Sequence, residues 1–240
     1  MNPELSIVIP VCNEAANVGP LTAEITQALA GRDIEVLFVD DGSTDDTLAA
    51  LRQARITQPA LRILRHSTRS GQSAALCTGM RLARAPWVAT LDGDGQNDPA
   101  DIPRLIAARD LGPDTGVRLY MGHRTQRRDT WLRRLSSRVA NGVRSRMLRD
   151  ATPDTGCGIK LVHRETFMEL PRFDHMHRFL PALVQRQGAR VVSVPVHHRE
   201  RQRGTSKYGL FDRLWVGIVD LFGVMWLARR YRAGMTVSEE

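Results

Sequence analysis

Short apolar runs alternate with amphipathic stretches along the first half of the chain. The runs are rich in Val, Ile and Leu, which is typical of strands buried on both faces of a parallel sheet. Strands are predicted at Leu5–Pro10, Ile34–Val39, Leu61–Leu64, Trp87–Leu91 and Val117–Met121. Helices are predicted between them, at Asn17–Ala30, Thr44–Arg55, Gln72–Arg84 and Pro99–Arg109. This alternation predicts an α/β fold with a mostly parallel sheet flanked by helices.

After Gly122 the alternation is interrupted by a basic region. A polar loop at Arg124–Asp129 is expected to lead into a long basic helix at Thr130–Leu148. The remaining predicted elements are a strand at Gly158–His163, a helix at Phe179–Gln187 and a strand at Val191–His197. The chain has no internal repeat, and its 240 residues suit one sizeable α/β domain with a C-terminal appendage.

That appendage contains an apolar run, Leu210–Ala228, which is interrupted by charged residues and followed by arginines. A spanning helix needs about 20 largely apolar residues, and a central Asp such as Asp220 costs a few kcal/mol there. An amphipathic helix that lies on an anionic membrane, or docks on a membrane partner, fits the run better. A helix packed only on the domain's own core is the alternative, and a spanning helix is the least favoured.

Composition narrows the choice of partner. Lys and Arg number 34 against 26 Asp and Glu, which gives a net charge of +8 and implies an anionic partner. Nucleic acid, an anionic membrane and a phosphorylated substrate all qualify, but aromatic residues make up only 5% of the chain and offer no stacking platform for nucleic acid. The three cysteines form no C-x-x-C pair, which argues against a disulfide framework or a zinc site. No signal segment is apparent at the N-terminus, so a cytoplasmic location is expected.

Acidic clusters follow two of the predicted strands. Asp40 and Asp41 end the second apolar run, and the segment Asp92-Gly93-Asp94-Gly95-Gln96 follows the fourth. The carboxyl ends of parallel strands open into the ligand crevice of an α/β sheet. Two carboxylates on either side of a glycine suit a hard divalent cation, which accepts substrate phosphates as further ligands. The clusters therefore indicate an enzyme that handles a metal-bound diphosphate.

Three motifs in this order resemble glycosyltransferase family 2. They are Pro10–Glu14 after the first strand, Asp40–Asp45 after the second and Asp92–Gln96 after the fourth. A fourth, Arg203–Tyr208, is similar to the R-x-G-x-S-K segment of the polyprenyl-phosphate glycosyltransferases, of the dolichol-phosphate mannose synthase type. The resemblance covers Leu5 to Gly209 and implies a GT-A fold, whose sheet is Rossmann-like.

The resemblance also implies which part of the chain binds each substrate. Residues 1–122 would bind the nucleotide sugar, residues 123–209 the acceptor, and residues 210–240 would form the membrane-proximal amphipathic segment. The residues implied for the nucleotide sugar are Pro10, Val11, Asn13, Glu14, Asp40, Asp41, Gly71, Asp92 and Gly93. Those implied for Mg²⁺ or Mn²⁺ are Asp92, Asp94 and Gln96. Gly71 is equally well interpreted as an ordinary loop glycine.

Basic residues dominate the implied acceptor side. The acceptor-phosphate set is Arg124, Arg133, Arg134, Ser137 and Ser206, and the catalytic set is Asp94, Arg124, Arg203, Lys207 and Asp154. Arg203 and Lys207 suit a clamp on either the diphosphate or the acceptor phosphate. Asp154 would orient an arginine or act as a weak base. Each arginine of the basic helix could instead belong to a solvated face.

The acceptor can be argued from a missing base. Relatives that transfer to a sugar hydroxyl carry a Glu-Asp pair where this chain has Phe173–Phe179, and no such pair occurs here. A phosphate monoester needs no base, because its second pKa is near 6 and it is already anionic at neutral pH. His175 and His177 in this stretch are interpreted as structural or membrane-proximal.

We therefore predict a metal-dependent, inverting transferase that moves a sugar from a UDP- or GDP-type donor to undecaprenyl or dolichyl phosphate. It would act at the cytoplasmic face of a membrane, held by its own helix or by a small integral membrane partner, and could form a homo-oligomer. Transfer to a polysaccharide is an alternative, although the Gln-x-x-Arg-Trp segment of processive relatives is absent. A non-catalytic scaffold that binds nucleic acid is the least favoured.

Overall fold

The computed structural model describes residues 2–112, 116–124, 142, 144–148, 150, 152–197, 199 and 210–230, without the side chains of residues 210–216. A single sheet forms its centre. In this described part the strands are β1 (Leu5–Val11), β2 (Ile34–Asp40), β3 (Leu61–Arg65), β4 (Trp87–Thr90), β5 (Val117–Arg124), β6 (Lys160–His163) and β7 (Arg190–Val196). The strands predicted from the apolar runs are all present, with small shifts at their ends.

The sheet has the strand order β3-β2-β1-β4-β6-β5-β7. β1 pairs in parallel with β2 and β4, β2 with β3, and β5 with β7. β6 runs antiparallel to both of its neighbours, β4 and β5. The prediction of a mostly parallel sheet is confirmed. The reversed strand places its first residue, Lys160, beside Thr90 at the end of β4, which is the end of the sheet where ligands bind in such folds.

Helices cover both faces of the sheet. Those described are α1 (Ala15–Ala28), α2 (Thr47–Thr57), α3 (Gln72–Leu82), α4 (Ile102–Leu111), α5 (Arg164–Met168), α6 (Leu180–Arg186) and α7 (Leu210–Arg230). Successive residues of a strand point to opposite faces. Ile7 and Ile9 of β1 accordingly pack in the core with α1, α2 and α4, whereas Val8 packs in the core with α3 and α6. Burial on both faces explains why the strands read as continuous apolar runs.

The second half of the chain continues the same sheet, and the division into a nucleotide-sugar half and an acceptor half stays a prediction. β5 extends from Val117 to Arg124, so the division predicted between residues 122 and 123 falls inside this strand. The nucleotide-sugar and acceptor halves would therefore share one continuous sheet. Of the basic helix predicted at Thr130–Leu148, only residues 142 and 144–148 are described, and they are helical.

α7 has one packed face and one exposed apolar face. Val224 is buried, and Leu221 packs against the same core cluster as α6. Ile218, Phe222 and Trp226 are exposed, and their four-residue spacing aligns them on one stripe of the helix. Over the described residues, no helix combines the length and the apolar character needed to cross a membrane.

Candidate active site

Polar side chains tie the loop after β1 to the loop after β2. The backbone N–H of Asn13 donates to Ser43 Oγ at 2.9 Å, and the N–H of Thr44 donates to Asn13 Oδ1 at 2.8 Å. The N–H of Glu14 donates to Thr47 Oγ1 at 2.8 Å. Asn13 has a φ of 55°, a conformation that Asn tolerates better than most residues. Asn13 and Glu14, both predicted pocket residues, thus hold together the two loops that would form the pocket walls.

Asp40 and Asp41, at the end of β2, are both buried. Asp40 Oδ1 accepts from the N–H of Ser43 at 2.9 Å, while Asp40 Oδ2 accepts no hydrogen bond from a described residue. Asp41 accepts from the N–H groups of Ser70 and Gly71, each at 2.8 Å. Gly71 has a φ of +91°, which favours glycine at this turn. Both aspartates shape the loops around the predicted nucleotide pocket, and their contacts with a base or ribose stay a prediction.

The Asp92–Gln96 loop is held by contacts on both sides. The N–H of Asp92 donates to Asn97 Oδ1 at 2.8 Å, and Gln72 Nε2 on α3 donates to Asp92 Oδ1 at 2.8 Å. A Cβ on Gly93 would lie 2.6 Å from Val11 Cγ1 and 2.8 Å from the Pro10 carbonyl oxygen, so only glycine fits there. Pro10 and Val11 therefore contact the acidic loop directly, through its glycine.

The two carboxylates of this loop suit a divalent cation. Asp94 Oδ1 accepts from the N–H of Gln96 at 3.1 Å. Loss of hydration and the negative charge of Asp94 raise the pKa of Asp92, and a cation between the two would relieve that repulsion. No group of three or more His, Cys, Asp and Glu side chains among the described residues could hold a metal ion. A cation bound by Asp92 and Asp94 would take further ligands from substrate phosphates and water.

Lys160 is a site residue that sequence reasoning missed. It is 5% exposed at the start of β6, and its Nζ donates to the carbonyl oxygen of Cys157. Loss of hydration lowers the pKa of Lys160, and the nearby charge of Asp92 opposes this effect. The available signal was a lysine within an otherwise apolar predicted strand, because a buried lysine needs a counter-charge.

Gly158 explains how β6 comes so close to the acidic loop. A Cβ at this position would lie 2.1 Å from Asp92 Oδ2 and 2.4 Å from Asn97 Oδ1. Only a residue without a side chain leaves space for the carboxylate of Asp92. The loop that contains Gly158 thus forms one wall of the acidic site.

Arg124 and Asp154 form a bidentate ion pair at the end of β5. Arg124 Nε donates to Asp154 Oδ2 at 2.7 Å, and Arg124 Nη2 donates to Asp154 Oδ1 at 2.8 Å. Loss of hydration alone would lower the pKa of Arg124, but the hydrogen bonds and charge of Asp154 outweigh it and the pKa is raised. Of the two roles predicted for Asp154, this geometry fits the orientation of an arginine.

A cleft of about 210 Å³ lies between the end of β4, the start of β6 and the loop before α6. Its walls include Asp92 and Lys160 together with His177 and Arg178. His177 Nδ1 is 2.7 Å from Ser73 Oγ. Loss of hydration, with the positive charges of Lys160 and Arg178, lowers the pKa of His177 to about 3. This histidine therefore lines the cleft as a neutral ring at physiological pH.

The neighbouring His175 faces the other way. Its Nδ1 lies 3.3 Å from Asp220 Oδ2, so it joins the loop before α6 to α7.

Six predicted site residues lie outside the described part of the chain, namely Arg133, Arg134, Ser137, Arg203, Ser206 and Lys207.

Fold and site together define an α/β enzyme domain with acidic loops where parallel strands end, the place at which such folds bind nucleotides. A profile of the family described as Glycosyl transferase family 2 matches residues 6–170. The chain belongs to glycosyl transferase family 2.

Two curated relatives are similar over most of this chain. One is dodecaprenyl-phosphate galacturonate synthase of Rhizobium johnstonii, 36% identical over 236 residues, which are 96% of this chain and 68% of that protein. The other is undecaprenyl-phosphate 4-deoxy-4-formamido-L-arabinose transferase of Edwardsiella ictaluri, 34% identical over 86% of this chain and 63% of that protein. The chain thus spans about two thirds of the length of these relatives.

Solved structures agree on the fold. Glucosyl-3-phosphoglycerate synthase of Mycobacterium tuberculosis, in complex with Mn²⁺, UDP and glucosyl-3-phosphoglycerate, matches with a TM-score of 0.70 and 18% identity over 94% of this chain and 80% of that chain. The same enzyme with Mg²⁺ and UDP matches with a TM-score of 0.69 and 18% identity over 94% and 79%. The predicted GT-A fold is confirmed.

Proposed function

We propose that this chain transfers a sugar from a UDP- or GDP-type nucleotide sugar to a polyprenyl phosphate. The observation that carries the proposal is the Arg124–Asp154 pair, which holds an oriented guanidinium beside the Asp92 loop. Asp154 takes the Nε–Nη2 edge of this guanidinium, and the other edge, with the donors of Nη1 and Nη2, suits phosphate oxygens. The two curated relatives, both named as polyprenyl-phosphate sugar enzymes, support the same acceptor.

In the proposed reaction an oxygen of the acceptor phosphate attacks C1 of the sugar. The new C1–O bond forms as the bond between C1 and the diphosphate oxygen breaks, and the nucleoside diphosphate leaves with the electron pair. Attack opposite the leaving group inverts C1. No proton has to be removed, because a phosphate monoester with a second pKa near 6 is largely a dianion at neutral pH.

The residues of the cleft fit an acceptor that needs no base. His177 occupies the stretch in which hydroxyl-transferring relatives would carry their carboxylate pair, and its pKa is lowered to about 3. A base this weak removes almost no proton from a sugar hydroxyl at neutral pH. Asp154, which was predicted as a weak base, already accepts two hydrogen bonds from the side chain of Arg124.

Asp92 and Asp94 would hold Mg²⁺ or Mn²⁺, with Gln96 as a further predicted ligand. A bound cation neutralises charge on the departing diphosphate. Gln72 orients Asp92 through its 2.8 Å hydrogen bond, and buried Lys160 offsets the negative charge of Asp92 when the cation is absent. Arg203 and Lys207 stay predicted clamps on one of the two phosphate groups.

A membrane location at the cytoplasmic face is part of the proposal. Ile218, Phe222 and Trp226 form the exposed apolar stripe of α7, and Arg229 and Arg230 follow in its last turn. An apolar face next to basic residues suits an anionic lipid surface.

Flotation with anionic vesicles tests this location. Phe222→Ser with Trp226→Ser should reduce the bound fraction severalfold, because both apolar side chains leave the stripe. Leu111→Ser, which changes an exposed leucine on α4, is the matched control. Equal flotation of both variants and wild type would contradict the role of α7.

Radiolabelled transfer tests the function. A panel of UDP- and GDP-sugars would be offered with undecaprenyl phosphate and Mg²⁺ or Mn²⁺, and the organic phase counted. We expect one donor to give an acid-labile lipid product that Asp94→Ala abolishes and Asp110→Ala, on the exposed surface of α4, retains. No lipid product from any donor, despite metal-dependent nucleotide binding, would contradict the proposed acceptor.

A further inference from the structure

Among the described residues around the cleft, two of the positively charged groups have an acidic neighbour and one does not. Lys160 lies close to Asp92, and Arg124 is paired with Asp154. Arg178 is half-buried in the same cleft, and its guanidinium forms no ion pair or hydrogen bond with any described residue. A guanidinium held in a cleft without a counter-ion attracts an anionic group.

The surroundings of Arg178 favour a small anion. A cleft of about 210 Å³ is smaller than the ~300–1,000 Å³ typical of pockets for drug-sized ligands, so it suits one sugar ring or one phosphate. Lys160 lies in the same cleft wall, where it offsets the charge of Asp92 and so lessens the repulsion between Asp92 and a bound anion. His177 adds a neutral ring, and the hydroxyl of Ser73 can donate to its Nδ1, which leaves the proton on Nε2 as a donor.

We propose that Arg178, with Lys160 and His177, forms an oxyanion subsite that binds either a carboxylate on the transferred sugar or the acceptor phosphate. The inference rests on the proposed function, because it names the chemistry of a group on a substrate of that reaction. Because Asp92 lines the same cleft, the subsite would lie beside the Asp92–Asp94 cation site, which would hold the diphosphate. It adds a binding role for the loop before α6.

Binding of four probes tests the subsite. The full-length protein, saturated with Mg²⁺, would be titrated calorimetrically with UDP, UDP-glucose, UDP-glucuronate and farnesyl phosphate. Arg178→Gln removes the charge, and Arg178→Lys keeps it. Arg172→Gln, on the exposed part of the same loop, is the matched control. Thermal unfolding of each variant confirms that it is folded.

We expect Arg178→Gln to bind UDP and UDP-glucose within about twofold of wild type and to lose about tenfold in affinity for one oxyanion probe. Loss for UDP-glucuronate identifies the sugar carboxylate, and loss for farnesyl phosphate identifies the acceptor. Arg178→Lys should recover part of the loss, and Arg172→Gln should behave as wild type.

Three results would overturn the subsite. The first is unchanged binding of all four probes by Arg178→Gln. The second is an equal loss for every nucleotide probe, which would make Arg178 a diphosphate clamp. The third is wild-type protein that binds UDP-glucuronate no more tightly than UDP-glucose and does not bind farnesyl phosphate. Because the readout is binding, a protein that passes this test but transfers no sugar would contradict only the proposed function.

Discussion

The titration of His177 gives a prediction whose size follows from the structure. The pKa of His177 falls from an ordinary 6.5 to about 3 in the folded chain. Between these values the unfolded chain binds a proton that the folded chain does not, so the free energy of unfolding decreases as pH falls below 6.5. At 1.36 kcal/mol per pH unit, acidification from pH 7 to pH 5 should cost about 2 kcal/mol through this residue. At pH 7 the effect is nearly absent, because His177 is mostly neutral in both states.

Urea unfolding at pH 7 and pH 5, at constant ionic strength, measures this effect. His177→Gln should lose about 2 kcal/mol less than wild type on acidification, because glutamine does not titrate. Ser73→Ala is the control: it removes the hydrogen bond to His177 but not the loss of hydration, the first cause of the low pKa. It should keep the wild-type pH dependence. If His177→Gln and wild type lost equal stability between the two pH values, the inference that His177 is neutral in the folded chain would be refuted.

Three further predictions concern the acidic site. Asp154→Asn leaves Arg124 without its counter-charge, so turnover should fall at least about tenfold and the free energy of unfolding by about 2 kcal/mol. Unchanged kinetics and an unchanged urea midpoint would contradict a role for the Arg124–Asp154 pair. Gly158→Ala would place Cβ 2.1 Å from Asp92 Oδ2 and should abolish Mg²⁺-dependent nucleotide binding in calorimetry. Gly19→Ala is the control: its Cβ would have no atom within 4 Å, so this variant should bind the nucleotide as wild type does. The pKa of Asp92 is raised, so this carboxylate should be protonated, and Mg²⁺ affinity lost, at a higher pH than for an ordinary aspartate. An Mg²⁺ affinity that stays constant down to pH 4 would contradict this prediction.

The strands were predictable because their burial leaves a strong pattern. Runs such as Ile34–Val39 pack on both sheet faces and therefore contain almost no polar residue. The direction of β6 was not predictable, because a strand of four residues, three of them buried, has the same pattern in either direction. α5 was missed because its five residues are too few to show a helical period.

The candidate site was predictable only where one motif contains its chemistry. Asp92 and Asp94 stand out in sequence because both carboxylates share one loop. Lys160, His177 and Arg178 reach the same cleft from a reversed strand and from the loop before α6, and no spacing along the chain indicates this. Asp154 was predicted to orient an arginine or to act as a weak base, and only the folded chain shows that this arginine is Arg124.

The central claim is that the nucleophile is a phosphate oxygen, and a double-label experiment tests it most directly. Undecaprenyl phosphate carrying ³²P would be incubated with the active nucleotide sugar labelled with ³H, and the lipid product isolated before and after mild acid. The account predicts ³H and ³²P in equal molar amounts in one lipid, with acid releasing the sugar and leaving all ³²P on the lipid. A ³H-labelled product without ³²P, or a sugar that resists mild acid, would contradict it.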